Sequence, residues 1–134
     1  MAVTFLLDTN ACIRLLNTRS ASLAEKLKAT SPQYIRLCSV VQAELVFGAY
    51  KSQKPAQNLA LIQRFSSQFE SVPFDEKCLD TYGRIRAELE RKGTPIGPLD
   101  TMIAAIAVAH GLALVTHNTK EFSRVQGLTI EDWE

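Results

Sequence analysis

The feature that most constrains this chain is the regular alternation of short apolar runs with longer helical patterns, sustained from one end to the other. The run from Ala2 to Leu7 is rich in strand formers and stops abruptly at Asp8, Thr9 and Asn10. Comparable patterns predict strands at Tyr34 to Ser39, Ser71 to Phe74 and Leu112 to Thr116, with a weaker one at Leu128 to Ile130. Helices are expected over Ala11 to Asn17, Ala21 to Ala29, Val40 to Tyr50, Ala56 to Phe69, Glu76 to Lys92 and Leu99 to His110, followed by a short turn at Lys120 to Val125. Parallel strands need long crossover connections, which helices supply, so the alternation predicts an α/β fold with a central, mostly parallel sheet of four to five strands and helices on both faces.

Punctuation supports these divisions. Ser31-Pro32 and Gly111 fall between elements, and the stretch Lys92 to Pro98 is a turn-rich loop directly before a helix. There is no repeat and no linker, and 134 residues with 46% hydrophobic side chains suffice for one core, so residues 1–134 are expected to form a single domain.

Charge excludes little. A formal net charge of +1 is no electrostatic announcement of nucleic acid. Cys12, Cys38 and Cys78 are odd in number and widely spaced, without a Cys-x-x-Cys pair, and read as small buried hydrophobes in a reducing compartment. No apolar run approaches the length of a membrane span, and the start MAVTFLLDTN lacks the features of a leader, so a cytoplasmic location is expected.

In an open parallel sheet the functional crevice lies beyond the carboxyl ends of the strands, which directs attention to acids that follow strands. Asp8 follows the first strand, although an aspartate there also serves as a helix cap. Glu44, in VVQAELVFGAY, shares a helix face with Val40, Val41, Phe47 and Gly48. A carboxylate on such a stripe needs a compensating partner such as a metal, unless its head reaches solvent at a boundary. Asp100 opens the Ala-rich, almost uncharged helix LDTMIAAIAVAHG, where it can also complement the helix dipole. The strand ALVTH delivers Thr116 and Asn118 to the same edge, with Asn118 equally suited to capping. Hard oxygen donors without histidine or cysteine suit Mg²⁺ or Mn²⁺ and not zinc.

Four ordered segments, LLDTN, VVQAELVFGA, GTPIGPLDTMIAAIAVAHG and LVTHNTKEFSRVQGLTIEDW, resemble the PIN-domain nucleases, and within them the VapC toxins, over essentially the whole chain. The resemblance implies a three-layer α/β/α domain whose acidic cluster is Asp8, Glu44 and Asp100, with Asn118 where many relatives carry a fourth acid. It further implies Mg²⁺- or Mn²⁺-dependent hydrolysis of RNA, giving 5′ phosphate and 3′ hydroxyl ends. A structured RNA is the implied substrate, with transfer RNA as the leading candidate and the initiator species, cut near its anticodon, as one form of it. A homodimer and a VapB-type antitoxin are the implied partners, the antitoxin covering the site with its carboxyl-terminal segment and an arginine. Asp8 and Asp100 are then direct metal ligands, and Glu44 holds a metal-bound water or orients the nucleophile, an assignment the sequence alone leaves interchangeable.

Other side chains have plainer roles. Arg14, Arg84, Arg86, Arg91 and Lys92 can meet phosphates, but helical cations commonly form a solvated face. His110 suits a helix end, His117 needs no part in metal-activated hydrolysis, and Trp133 reads as packing or interface. Two rival functions stay on the table. A Mg²⁺-dependent phosphatase or phospho-receiver also places an aspartate after its first strand, but a haloacid-type enzyme needs a second aspartate where Asn10 stands. A catalytically silent RNA- or antitoxin-binding module is opposed by the intact set of three acids.

Overall fold

The computed structural model describes residues 2–134. Its elements follow in the order β1 (Phe5–Leu7), α1 (Thr9–Leu16), α2 (Ala21–Ala29), a 3-10 turn (Pro32–Tyr34), β2 (Ile35–Cys38), α3 (Ser39–Lys51) and α4 (Pro55–Ser66). They continue as β3 (Glu70–Val72), α5 (Glu76–Arg91), α6 (Pro98–Ala109), β4 (Ala113–Val115), α7 (Thr119–Phe122) and β5 (Thr129–Glu131). The five strands form one sheet in the order β3-β2-β1-β4-β5, and all four pairings are parallel.

That order reverses at β1, whose neighbours β2 and β4 lie far apart in sequence. The reversal creates a crevice between the carboxyl ends of β1 and β4, the switch point at which open parallel sheets place ligands. Backbone bonds hold the two ends together, with Asp8 N donating to Val115 O at 3.1 Å.

The central strands are buried on both faces: Leu6, Leu7, Ile35, Leu37, Leu114 and Val115 are essentially inaccessible. This explains why their sequences read as continuous apolar runs and not as alternating ones. Edge strands β3 and β5 are short and largely polar, which suits an exposed rim. Helix α6 buries Thr101 and the run Ile103 to Ala107. Its alanines bring the helix close to its neighbours, and the antiparallel α5/α6 hairpin is reversed through Gly93 at φ 70°, a left-handed conformation that glycine adopts without penalty.

Several boundaries differ from the sequence expectation. β1 spans Phe5–Leu7 because its partner β4 begins at Ala113, opposite Phe5. Helix α1 starts at Thr9, two positions early, because Asp8 caps it. Helix α4 starts at Pro55, a residue suited to the first helical position, and ends at Ser66, ahead of the expected Phe69. β3 is drawn forward to Glu70–Val72 by pairing with Arg36 to Cys38, and Pro73, which lacks an N–H, ends it. The expected turn at Lys120 to Val125 is the four-residue helix α7, and β5 is shifted by one residue to Thr129–Glu131.

Candidate active site

Asp8 is the most buried acid of the crevice, at 4% exposure. Its Oδ1 accepts the Ala11 N–H at 2.8 Å, so the capping role foreseen for it is real. Capping occupies one lone-pair direction and leaves the rest of the carboxylate available to the crevice. Burial raises its pKa above the ordinary aspartate value; the neighbouring Thr116 hydroxyl and the Ala11 amide oppose this, while the charges of Glu134 and Glu44 add to it.

Glu44 sits on α3, one strand away. The Thr9 hydroxyl donates to its Oε1 at 2.6 Å, a short bond that ties the first residue of α1 to the acid on α3. The stripe is only partly core: Val40 and Val41 are buried, Glu44 is half-buried and Phe47 is 66% exposed, so the stripe runs from the core out to the surface. The carboxylate stands where the buried and exposed parts of the stripe meet.

Asp100, in the first turn of α6, feels the other acids directly. Burial raises its pKa to about 6, with further contributions from Glu44, Asp8 and Glu121. The first two of these charges were predicted to converge with it. Glu121 was not. It lies in α7, three residues after Asn118, and Asn118 Nδ2 donates to its Oε2 at 3.0 Å. Spacing of three on a helix was the available sequence signal, hidden because Lys120-Glu121 reads as an ordinary solvated turn.

Asn118 does not cap α7 with its side chain. Its backbone N–H is instead received by the Thr116 hydroxyl at 3.0 Å, while its amide orients Glu121. Its place at the edge of the cluster matches expectation, and the capping alternative does not hold.

Asp8, Glu44, Asp100 and Glu121 are thus acids of one electrostatic neighbourhood delivered by four different elements. Asp8, Glu44 and Asp100 do not bring three oxygens within 4.8 Å of one another. Such spacing leaves room for a divalent cation that keeps several of its waters and takes one or two carboxylates directly. Burial and the charges of Glu44, Asp8 and Glu121 disfavour the ionised Asp100, and a cation would offset this.

Around the cluster lie two openings. A cleft of about 540 Å³, polar in its side-chain heads, is lined by Asn10, Arg14, Asn17, Arg19, His117 and Asn118 together with Ile13. An apolar groove of about 250 Å³ runs between α1, α3 and α4, lined by Ile13, Leu16, Leu45, Leu61 and Ile62 with Glu44 at its border. Arg14 is ion-paired with Glu134, and His117, exposed, meets Asp132 at 3.0 Å. On α5, Arg86 pairs with Glu90 at 2.9 Å and Lys92 with Glu88 at 3.0 Å, while Arg84 and Arg91 are exposed, so this helix presents the solvated face described above. Trp133 is buried edge-on against Phe5, with ring centroids 5.1 Å apart, and all three cysteines are free and buried.

Comparison with known proteins identifies the family and the fold. The PIN domain family model matches residues 5–128. A tRNA(fMet)-specific endonuclease VapC from Shigella flexneri is 45% identical over 129 residues, covering 96% of this chain and 97% of the relative. Ribonuclease VapC2 from Rickettsia felis is 40% identical over 131 residues, covering 97% and 98%. Among solved structures, DNA-bound VapBC from Salmonella typhimurium superposes with a TM-score of 0.93 at 41% identity, over 99% of this chain and 100% of that one.

Proposed function

The chain belongs to the PIN-domain family as a VapC ribonuclease of the VapBC toxin-antitoxin kind, and from that premise we propose that Asp8, Glu44, Asp100 and Glu121 hold Mg²⁺ or Mn²⁺ for cleavage of a transfer RNA. The observation that carries the reading is the convergence at the β1/β4 switch point of carboxylates around Asp8 and Asp100, whose pKa values are raised by burial and by the charge of neighbouring acids.

A divalent cation there would position the scissile phosphate, activate water and stabilise the leaving oxygen. Asp8 and Asp100 are the direct ligands. Asp8 is pinned by the Ala11 amide, which fixes the orientation of its carboxylate at the end of β1. Glu44, steadied by Thr9, orients the attacking water, and Asn118 aims Glu121 at the cluster from α7. The RNA backbone enters along the polar cleft, where Arg14 and Arg19 meet phosphates.

The substrate reading, an initiator transfer RNA, rests on the Shigella relative whose name carries that specificity. The partner is a VapB-type antitoxin, whose apolar side chains fill the groove between α1, α3 and α4 and whose arginine reaches Glu44 at the groove's border. Homodimerisation is supported by the exposed apolar patch of Phe47 and Leu99, at 66% and 46% exposure, beside Val40, Phe74 and Met102.

The test is cleavage by antitoxin-free protein in Mg²⁺ or Mn²⁺, with sequencing of the RNA ends formed after induction in cells. Cleavage stops in EDTA and in Asp8→Asn, whose amide oxygen still caps α1 and so preserves the fold. Full activity under either condition refutes the metal assignment, and cuts outside transfer RNA refute the substrate.

A further inference from the structure

We propose that Asp75, Cys78 and His110 form a second cation site in this protein, a thiolate-containing site for zinc, chemically distinct from the acidic cluster. Asp75 precedes α5, Cys78 lies one turn inside it, and His110 closes the carboxyl end of α6. Asp75 Oδ1 is 3.4 Å from Cys78 Sγ and 3.4 Å from His110 Nε2, and one donor atom from each residue lies within 4.8 Å of the other two.

These separations are close to the edges of a zinc tetrahedron. Bonds of about 2.3 Å to sulfur, about 2.05 Å to nitrogen and about 2.1 Å to oxygen imply S···O edges of about 3.6 Å and N···O edges of about 3.4 Å. The cation therefore fits with shifts of tenths of an ångström along the two measured edges. Cys78 is wholly buried and forms the floor, whereas the side chains of His110 and Asp75 are 20% and 36% exposed. The outward side is open to water as the fourth ligand.

Ligand chemistry separates the two sites. Thiolate and imidazole select a borderline-soft ion, while the all-oxygen cluster selects Mg²⁺ or Mn²⁺. Position separates them too: Asp100 and His110 are ten residues apart along α6, about 15 Å at 1.5 Å per residue. A cation at Cys78 would instead clip the start of α5 to the end of α6. Before binding, the thiol donates to Asp75. On binding, the Cys78 S–H bond breaks, its proton leaves to solvent, the thiolate forms the metal–sulfur bond, and His110 binds as neutral imidazole.

The experiment is a Co²⁺ titration of the full chain after EDTA treatment and removal of the chelator, read by thiolate-to-cobalt charge-transfer absorption. The band is expected to saturate at one Co²⁺ per chain, to vanish on adding Zn²⁺, and to persist in Asp8→Asn, since carboxylates produce no such band. Cys78→Ser abolishes it. His110→Ala raises the half-saturation concentration by at least about tenfold, the lower end of what losing even an outer partner of a metal ligand costs. No band in the unmodified protein, a band surviving in Cys78→Ser, or a titration unmoved by His110→Ala overturns the proposal. His110 sits at a partly exposed helix end, so that variant decides the matter even where the buried Cys78→Ser fails to fold.

Discussion

Neutralising Asp100 should make the metal-free protein more stable, not less. Its carboxyl is pushed from 3.8 to about 6 by burial and by Glu44, Asp8 and Glu121, so in the folded state it resists ionisation. The sign follows from linkage: a raised acid contributes stability that is fully present below its unfolded pKa near 3.8, declines as pH rises, and is lost above about 6. The full displacement corresponds to about 3 kcal/mol at about 1.4 kcal/mol per tenfold in proton affinity, and screening on the open side of a half-buried cluster reduces this to about 1–2 kcal/mol. In EDTA at about pH 7.5, Asp100→Asn is therefore expected to exceed the unmodified protein by about 1–2 kcal/mol in urea denaturation, with the advantage shrinking towards about pH 4. Adding Mg²⁺ should stabilise the unmodified protein and narrow the gap, since only the charged cluster gains a counter-ion. An Asp100→Asn protein no more stable than the original at about pH 7.5 in EDTA would refute the claim that burial and the neighbouring acids together penalise the charged Asp100.

Three further outcomes are expected. Thr9→Val removes the 2.6 Å bond to Glu44 while keeping shape, and should lower RNA cleavage by about 10- to 100-fold with little change in thermal stability. Glu121→Gln should weaken Mg²⁺ binding in a calorimetric titration, and Asn118→Ala should do so less, because it frees the carboxylate without removing its charge. Leu114→Ala, at a wholly buried position in β4, should cost about 2–5 kcal/mol in denaturation without altering the metal titration.

Element type was legible in the sequence because each strand core and each helix has its own period, and the parallel sheet followed from the crossovers. Boundaries were less so, because partners set them: β1 is as long as β4 allows, and β3 is pulled to Glu70 by Arg36. Asp8 and Asp100 stood out because strand ends and helix starts are few, and Glu44 because a carboxylate within a largely apolar helix is unusual. The role of Glu44 was harder to read, since Thr9 is 35 positions away and no local pattern joins the two.

The fourth charge shows why motif columns and physical sites differ. Asparagine at 118 appears to remove a carboxylate only if charge is counted by position. In the fold, Asn118 donates to Glu121, whose charge acts on Asp100 alongside those of Glu44 and Asp8. What a cation experiences is the field at a point, so an acid one helical turn along, aimed by an amide, can stand in for one at the strand end. On the proposed reading, Glu121 supplies to the cluster the charge that an asparagine at 118 does not carry.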